Sequence, residues 1–393
     1  MYTFDELIDR RHTESTKWDR YQDKLQRDDL LPMWLADMDL PASDEIKEAL
    51  MKRASHPIYG YSDRGRLYYE VFAERFQKQY AYDITADDVI LSTGVMYSIA
   101  AAIHLFTNPK DGILLLMPCY HPFVTCVENS DRRVIQVDMC VHDQRYEIDF
   151  NQLESLLKKD DTAKALILCN PHNPSGRVFG YEELKRLTEI CERYHLLIIS
   201  DEIHSDFVYE EKFIPIMKVS TYAQQHTIAC VSPTKSFNLA GLKVSAILVK
   251  NESMKKTLKD YCSLIGISSI NIFAMEAVKA AYLKSSKWQK ELLTYLKGNR
   301  NLITAFVKQH DDQIVAYQPQ GTYFYWMKFH TDIHEKLLNE TGLILNDGAE
   351  FSSSCTAFER LNFACPRPLL QEGLRRLDTF LQQFVITYRK EDL

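Results

Sequence analysis

Short apolar runs alternate with amphipathic stretches through the middle of this chain, and no other feature restricts its possible folds as much. The clearest runs, bounded by glycine, proline or aspartate, are residues 112–118, 163–169, 196–200 and 244–249. Runs of this length that are apolar on both faces are typical of strands buried inside a sheet. The stretch from Tyr181 to Tyr194 instead places Leu184, Leu187 and Ile190 on one helical face. Alternating strands and helices predict an α/β fold with a mostly parallel sheet.

The pattern changes after about residue 250. Long helical patterns follow at 252–264, 272–284 and 287–309, with strand-like runs around 322–329 and 360–364. This change predicts a second, smaller α+β domain. We expect residues 46–285 to form the large domain, and residues 1–45 together with 286–393 to form the small one.

Composition narrows the possible partners. The net charge of -7, without a long block of like charge, argues against nucleic acid or an anionic membrane as a ligand. The first ten residues are too charged for a signal peptide, and no segment approaches 18 apolar residues. Nine scattered cysteines lack metal-site spacing and favour a reducing, cytoplasmic setting. We therefore expect small-molecule partners, self-association and no metal.

Polar residues at the ends of the predicted strands are the first functional candidates, because ligands of open α/β sheets bind outside the carboxyl ends of strands. Asp201 follows the run 196–200, Asn173 lies in the turn after 163–169, and Lys235 follows an apolar run at 227–231. Gly94 precedes a helical pattern, which places backbone N–H groups at a helix N-terminus where an anion can bind. Each signal is weak alone, since most strand-end lysines are solvated and most such aspartates cap helices.

Together these groups are what a pyridoxal-phosphate site needs: an amine to form a Schiff base, a carboxylate for the pyridine nitrogen, an amide for the ring oxygen and a helix N-terminus for phosphate. Asn173 precedes Asp201 by 28 residues, and Asp201 precedes Lys235 by 34. This order and spacing resemble the fold-type-I aminotransferase superfamily.

A narrower resemblance is carried by five ordered motifs. They are MWLADMD at 33–39, HPIYGY at 56–61, NPHNP at 170–174, SDEIH at 200–204 and NFACPR at 362–367. In these motifs the chain is similar to the PatB/MalY-type cystathionine β-lyases and C–S lyases, from about residue 15 to 380. The resemblance implies a mostly parallel central sheet between helices, a smaller α+β domain and pyridoxal 5'-phosphate as the cofactor.

The resemblance also implies the roles of the residues around the cofactor ring. Lys235 would bond covalently to the cofactor and then remove the Cα proton of the substrate. Asp201 would pair with the pyridine nitrogen, Asn173 would donate a hydrogen bond to the ring oxygen, and Tyr120 would stack on the ring. At His204 aminotransferases usually carry a tyrosine, whereas histidine is expected in the narrower lyase group.

The phosphate group would be bound by the amides of Val95 and Met96, by the Ser232 hydroxyl and by Tyr61 of a second subunit. This arrangement implies a homodimer with active sites at the subunit interface. Lys243 stands where many aminotransferases place a phosphate-binding arginine, so it either supplies a charge there or is simply exposed.

The substrate α-carboxylate would be bound by Arg367, in the motif at 362–367, with help from the backbone N–H of Ala36. Tyr61 would also lie beside the substrate. Arg360 is the nearest alternative to Arg367, but we expect it to face solvent.

The implied reaction is β-elimination at a C–S bond of cystathionine, cysteine or a related S-substituted cysteine, which gives pyruvate, ammonia and a thiol or sulfide. An aminotransferase is the alternative, since the same cofactor chemistry permits both outcomes. A further hypothesis is that the chain mainly binds a regulatory protein. The physiological thioether is not decided by the sequence.

Overall fold

The computed structural model describes residues 2–61, 65–267 and 269–391, with side chains up to residue 383. The outermost limits predicted for the small domain, residues 1 and 393, lie outside these ranges. The strands are β1 (Leu31–Pro32), β2 (Val89–Ser92), β3 (Gly112–Met117), β4 (Arg133–His142), β5 (Arg145–Ile148), β6 (Ala163–Cys169), β7 (Leu197–Asp201), β8 (Thr227–Val231), β9 (Ser245–Leu248), β10 (Ile314–Ala316), β11 (Phe324–Phe329), β12 (Leu343–Ile344), β13 (Asn346–Asp347) and β14 (Phe358–Asn362).

The helices follow the amphipathic stretches of the sequence. They are α1 (Asp19–Leu25), α2 (Asp44–Ala54), α3 (Gly65–Tyr80), α4 (Val95–Phe106), α5 (His121–Asn129), α6 (Phe150–Lys159), α7 (Tyr181–Arg193), α8 (Thr221–His226), α9 (Pro233–Ser236), α10 (Glu252–Leu264), α11 (Ile272–Lys284), α12 (Ser286–Gln309), α13 (His334–Thr341) and α14 (Arg367–Glu391). Within the described ranges, none of them is both long and apolar enough to cross a lipid bilayer.

The large sheet has the strand order β2-β9-β8-β7-β6-β3-β4-β5. From β8 through β4 all neighbouring strands are parallel. Strand β9 runs antiparallel to both of its neighbours, and β5 forms an antiparallel edge with β4. The predicted α/β fold with a mostly parallel sheet is therefore confirmed.

The apolar runs are continuous because both faces of this sheet are covered. Along β3, Ile113, Leu115 and Met117 join a cluster with α4, α5 and α10 on one face. Leu114 and Leu116 point the other way, into a cluster with α6, α7 and α8. The apolar stripe predicted on α7 is fully buried in this second cluster. Alternate side chains thus enter two cores, which explains why apolar residues occupy consecutive positions of β3.

A second sheet is antiparallel, with the order β10-β11-β14-β13, and β1 pairs in parallel with β12. The amino-terminal segment thereby joins residues near the carboxyl end of the chain. One apolar cluster combines Phe237 and Ala277 from the predicted large domain with Trp288 and Phe324 from the predicted small one. The division at residues 45/46 and 285/286 stays a prediction.

The register of the parallel strands positions the candidate site. Cys169 is opposite Asp201, and Asp201 is opposite Cys230. The carboxyl ends of β6, β7 and β8 therefore lie side by side, and the residues that follow them meet at one edge of the sheet.

Candidate active site

A cavity of about 350 Å³ opens at this edge. The predicted site residues that line it are Ala36, Val95, Met96, Tyr120, Asn173, Asp201, His204, Lys235 and Lys243. Ser232, Tyr61 and Arg367 are not among the lining residues. A groove of about 460 Å³ between α3 and α12 is larger, but its buried Asp206 is already paired with Arg75 at 2.6 Å.

Lys235 lies on α9, the four-residue helix that directly follows β8. Its Nζ donates a hydrogen bond to the Ala36 carbonyl oxygen at 2.5 Å. Burial, the largest cause, lowers the pKa of Lys235 to about 8, while the Asp37 carboxylate acts in the opposite direction. An amine with this pKa is neutral in a substantial fraction of molecules near neutral pH, as a nucleophile or base requires.

Ser232 caps α9, since its Oγ accepts a hydrogen bond from the Thr234 N–H at 3.0 Å. The same hydroxyl donates to the Val244 carbonyl oxygen at 2.7 Å. The structure thus shows Ser232 in a local capping role beside the cavity, and its predicted contact with phosphate stays a prediction.

Asp201 is the last residue of β7 and is buried. Its Oδ1 accepts a hydrogen bond from the Ile203 N–H at 3.0 Å. Burial raises the pKa of Asp201 to about 7, and the charge of Lys235 only partly opposes this effect. A protonated ring nitrogen at this carboxylate would restore its ionised form, so Asp201 suits the role predicted for it.

Arg360 is 2% exposed, so the expectation that it faces solvent is wrong. It lies on β14, which is covered because β11 and β13 flank it in the sheet. Its guanidinium donates hydrogen bonds to Asn173 Oδ1 at 2.8 Å, to the Trp34 carbonyl oxygen at 2.9 Å and to Asn346 Oδ1 at 2.7 Å. Its Nε is buried without a partner among the described residues. Although Arg360 does not line the cavity, it directly supports Asn173, which does.

Arg367 lies elsewhere, at the first residue of α14. Its Nε donates to Asn299 Oδ1 at 3.2 Å, and its guanidinium lies over the Tyr295 ring. Asn299 also donates to the carbonyl oxygens of Phe363 and Cys365, which fixes the chain just before α14. The structure therefore holds Arg367 against α12 and does not bring it to the cavity.

His204 is buried against aromatic rings, with Tyr323 at 5.8 Å and Phe324 at 5.5 Å between ring centroids. Burial, followed by the charges of Lys235 and Arg360, lowers the pKa of His204 well below its usual range, so the ring is neutral. Its Nδ1 has no partner among the described residues. Such an unsatisfied buried polar atom costs free energy unless a ligand group meets it.

The N-terminus of α4 forms one end of the cavity. Its N-cap residue is Gly94, which has no capping side chain, so the first-turn amides of Val95 and Met96 lack that partner. A Cβ atom placed on Gly94 would meet nothing within 4 Å, so the space there is open. Lys243, which has a backbone φ of 52°, lines the same cavity. Backbone amides at a helix N-terminus can bind an anion, and Lys243, which is exposed, adds a positive charge to the lining of the same cavity.

Tyr120 lines the cavity and is the N-cap residue of α5, with its ring edge-on to that of Phe123. Tyr61 is fully exposed in the single chain, so its predicted contacts with phosphate and substrate stay a prediction. The cavity as a whole fits pyridoxal phosphate, because its lining brings together the buried carboxyl group of Asp201, the His204 Nδ1 without a partner among the described residues, and the N-terminus of α4 without a capping side chain. Among the described residues, no group of three or more potential ligands suits a metal ion.

The comparisons with known proteins agree with this geometry. Residues 35–377 match the family model described as aminotransferase class I and II. The chain belongs to the aminotransferase class I and II family. Within this family it is 33% identical to cystathionine beta-lyase PatB of Bacillus subtilis over 96% of this chain and 99% of that protein. The predicted superfamily and the narrower resemblance are both confirmed.

Solved structures of family members superimpose closely. A pyridoxal-phosphate-bound putative aminotransferase from Clostridium difficile 630 is 34% identical, with a TM-score of 0.91 and coverage of 96% of this chain and 98% of that one. A pyridoxal-phosphate-bound C–S lyase from Staphylococcus hominis is 28% identical, with a TM-score of 0.90 and the same coverage. The fold of this family member is thus that of both lyases and aminotransferases.

Sequence reasoning missed two residues beside Lys235. The buried Tyr323 hydroxyl donates to the Ala36 carbonyl oxygen at 3.1 Å, so that oxygen receives two hydrogen bonds. Asp37 is the strongest charge that opposes the lowered pKa of Lys235. Asp37 belongs to the motif at 33–39 and could have been singled out, whereas Tyr323 stands in an aromatic run that reads as ordinary core.

Proposed function

We propose that this protein is a pyridoxal-phosphate-dependent C–S lyase that acts on an S-substituted cysteine by β-elimination. The observation that carries the proposal is the meeting of Lys235, Asp201 and the α4 N-terminus in one cavity of a chain similar over nearly its whole length to a cystathionine β-lyase. Cystathionine is the substrate that this similarity favours.

The described residues would hold the cofactor by its ring. Asp201 would meet the ring nitrogen, and Asn173 would donate its side-chain N–H to the ring oxygen while Arg360 holds its Oδ1. His204, whose Nδ1 has no partner among the described residues, would lie near the same oxygen, and Tyr120 would stack on the ring. When bound, pyridoxal phosphate supplies an electron sink for the negative charge that develops at the substrate Cα.

The other end of the cavity would hold phosphate. The free amides of Val95 and Met96 would donate to its oxygens, and Lys243 would add a positive charge. Ser232 would contribute its hydroxyl only by giving up its hydrogen bond to the Val244 carbonyl oxygen.

Lys235 would act first as the covalent attachment point and then as the general base. Its Nζ would take the Cα proton, for which a pKa near 8 is suitable. The Cβ–S bond would then break with departure of the thiolate, and hydrolysis of the remaining fragment would give pyruvate and ammonia. The Ala36 carbonyl oxygen and the Tyr323 hydroxyl would fix the position of that amine.

Arg360 is our candidate for binding the substrate α-carboxylate, in place of Arg367. Its guanidinium is buried next to Asn173 and has an unpartnered Nε. Burial lowers the pKa of Arg360 to about 10, so it remains a cation at neutral pH. The backbone N–H of Ala36 could be a second donor, as the sequence predicts.

We also propose that the active form is a homodimer and that it works in the cytoplasm. Large apolar side chains are exposed around Tyr61, at Ile58 and Tyr59, and at the end of α10, where Leu264 is 81% exposed. A second copy would cover them and bring Tyr61 to the neighbouring cavity. The nine unpaired thiols are typical of proteins from a reducing compartment.

The test is to mix the purified protein with L-cystathionine and to follow pyruvate, ammonia and free thiol together. We expect equal amounts of the three products, with loss of all three in Lys235→Ala. The control is Lys256→Ala, which removes an exposed lysine of α10.

Two other outcomes would change the proposal. Amino transfer upon addition of a keto acid, without pyruvate release, would favour an aminotransferase, the activity named for the C. difficile protein. Absence of activity in both assays would favour a narrower substrate range or a regulatory binding role. A cellular effect that survives Lys235→Ala would support the regulatory role.

A further inference from the structure

The segment that contacts Lys235 is itself held by a group of polar side chains, of which Lys17 and Asp39 are buried and the others are partly exposed. We call this group, made up of Arg10, Lys17, Trp18, Asp37 and Asp39, the Asp39 cluster. Among the described residues, no member of the cluster lines the cofactor cavity, which this segment reaches at Ala36.

Lys17 is the most unusual member, because a lysine side chain that is 1% exposed is rare. Its Nζ donates to Asp39 Oδ2 at 2.7 Å and to the Asp37 carbonyl oxygen at 3.3 Å. Trp18 Nε1 donates to Asp39 Oδ1 at 2.8 Å. Asp39 is thus satisfied on both oxygens by groups of the amino-terminal segment.

Arg10 connects the two carboxylates. One of its terminal nitrogens donates to Asp39 Oδ1 at 2.7 Å, and the other donates to Asp37 Oδ2 at 2.7 Å. Because burying two charges costs about as much free energy as their attraction returns, a buried ion pair is weak evidence for a stabilising role. The Asp39 cluster nevertheless has well-defined hydrogen-bond geometry, which a positioning function requires.

The clustered segment is also clamped from the other side. Asn238, three residues after Lys235, accepts from the Met38 N–H at 3.1 Å and donates to the Met38 carbonyl oxygen at 2.9 Å. Asn362 donates to the carbonyl oxygens of Leu35 and Asp37. Between these clamps lies the carbonyl oxygen of Ala36, which accepts from Lys235 Nζ.

We propose that Lys17 and Asp39 are positioning residues for the catalytic amine. Through the Asp39 cluster they hold residues 36–38 so that the Ala36 carbonyl oxygen orients Lys235 Nζ toward the substrate Cα. The proposal rests on the proposed function, in which Lys235 is the base. It predicts that the cluster affects proton removal more than substrate binding.

The test compares Lys17→Met with Lys255→Met. Lys255 is a matched control, because it is also a buried lysine, 4% exposed, and donates to a buried carboxylate, Asp88, at 3.0 Å, but lies on α10 away from the cavity. We expect Lys17→Met to lower kcat at least tenfold with KM changed less than threefold, while Lys255→Met leaves both within twofold. Equal kinetics in the two variants would overturn the proposal.

A second readout does not need the loaded enzyme. Hydrogen–deuterium exchange of the cofactor-free protein should be faster at residues 35–39 in Lys17→Met and unchanged there in Lys255→Met. Unchanged exchange at these residues would contradict the positioning role. If the exchange result holds but the protein has no lyase activity, the proposed function fails and the structural coupling stands.

A milder variant covers the case in which Lys17→Met does not fold. Trp18→Phe removes a single donor to Asp39 and keeps an aromatic ring. We expect a severalfold decrease in kcat with the cofactor absorbance retained. A kcat equal to that of the parent protein would count against the cluster.

Discussion

Two arginines of the carboxyl-terminal region, Arg360 and Arg367, are alternative binding partners for the substrate carboxylate, and substitution of each can distinguish them. Arg360 is buried beside Asn173, whereas Arg367 is bound to Asn299 of α12. We expect Arg360→Lys to lower kcat/KM about 100-fold, since loss of a planar, buried, charge-assisted contact costs about 2–5 kcal/mol. Steady-state kinetics with cystathionine would measure this.

Arg367→Lys is the matched control, and we expect its kcat/KM to stay within threefold of the parent value. A larger loss in Arg367→Lys than in Arg360→Lys would restore the role that the sequence motif predicts for Arg367.

A second buried carboxyl group lies next to Asp201 and is not used in the proposed reaction. Glu202 is 1% exposed; its Oε1 accepts from the Ser200 hydroxyl and the Ile216 N–H, and its Oε2 has no partner among the described residues. Burial raises the pKa of Glu202 to about 8 from an ordinary value of 4.5. The folded protein therefore binds a proton that the unfolded chain has lost, and stability falls as pH rises between these values.

Glu202→Gln should remove this part of the pH dependence, because an amide cannot ionise. In the cofactor-free protein, the free energy of unfolding of the variant should fall less steeply from about pH 5 to pH 8. The difference reaches several kcal/mol at most, at about 1.4 kcal/mol per pKa unit. Urea unfolding across this range would measure it, with the exposed Glu128→Gln as control. Parallel stability curves for Glu202→Gln and the parent would show that Glu202 does not titrate as described.

The ring-binding residues and the lysine that were predicted from the sequence share one property: each lies at the end of a strand, or within four residues of it, and that strand has a clear apolar run. Asp201 ends β7 and Lys235 lies four residues after β8, so the two residues meet because the carboxyl ends of neighbouring parallel strands lie side by side. The expectation for Arg360 was wrong because its burial depends on pairing of β14 with β11 and β13, in which Trp326 and Asn346 lie opposite Arg360. The residues next to Arg360 in the sequence do not indicate which strands pair with β14.

At the scale of elements, α4 is the helix whose first turn matters most. Val95→Pro should remove one amide donor without breaking the helix, because proline is tolerated at the first helical position and Gly94 has the extended backbone that must precede it. We expect the dissociation constant for pyridoxal phosphate to rise at least tenfold, in line with loss of a hydrogen bond to a charged group. Fluorescence titration of the cofactor-free protein would measure it.

Thr221→Pro is the control for this substitution. Thr221 is the exposed first residue of α8, and Ser220 before it is also extended. Equal cofactor affinity in Val95→Pro and the parent would mean that this amide does not bind phosphate.

Helix limits were predicted well where capping residues mark them. The limits of α10 and α11 agree with the sequence prediction, and both helices begin after an asparagine, Asn251 and Asn271, whose side chain accepts from a first-turn N–H. The direction of β9 and the pairing of β1 with β12 were not predicted. Strand partners that are distant in sequence leave no local signal.

For the whole molecule, the proposed dimer can be tested at Leu264. This side chain is 81% exposed at the end of α10, close to Cys262, which contacts the Tyr97 hydroxyl at the cavity. We expect Leu264→Asp to shift sedimentation toward the monomer and to weaken cofactor binding, because a charge cannot be buried unpaired in an interface. Val315→Asp, at an exposed position of β10, should remain dimeric.

Both variants sedimenting as the parent does would exclude the end of α10 from the interface. A parent protein that is itself monomeric would rule out the predicted role of Tyr61 from a second subunit.

The parallel pairing of β1 with β12 joins Leu31 to Leu343, and the Asp39 N–H donates to the Ala364 carbonyl oxygen. On the ribosome, the amino-terminal segment emerges first, yet its partners are synthesised roughly 300 residues later. The strands of the large sheet can therefore assemble before the partners of the amino-terminal segment, β12 and Ala364, have been synthesised. A chain cut short before β12 would lack the partner of β1, so catalytic competence requires that β12 has been synthesised.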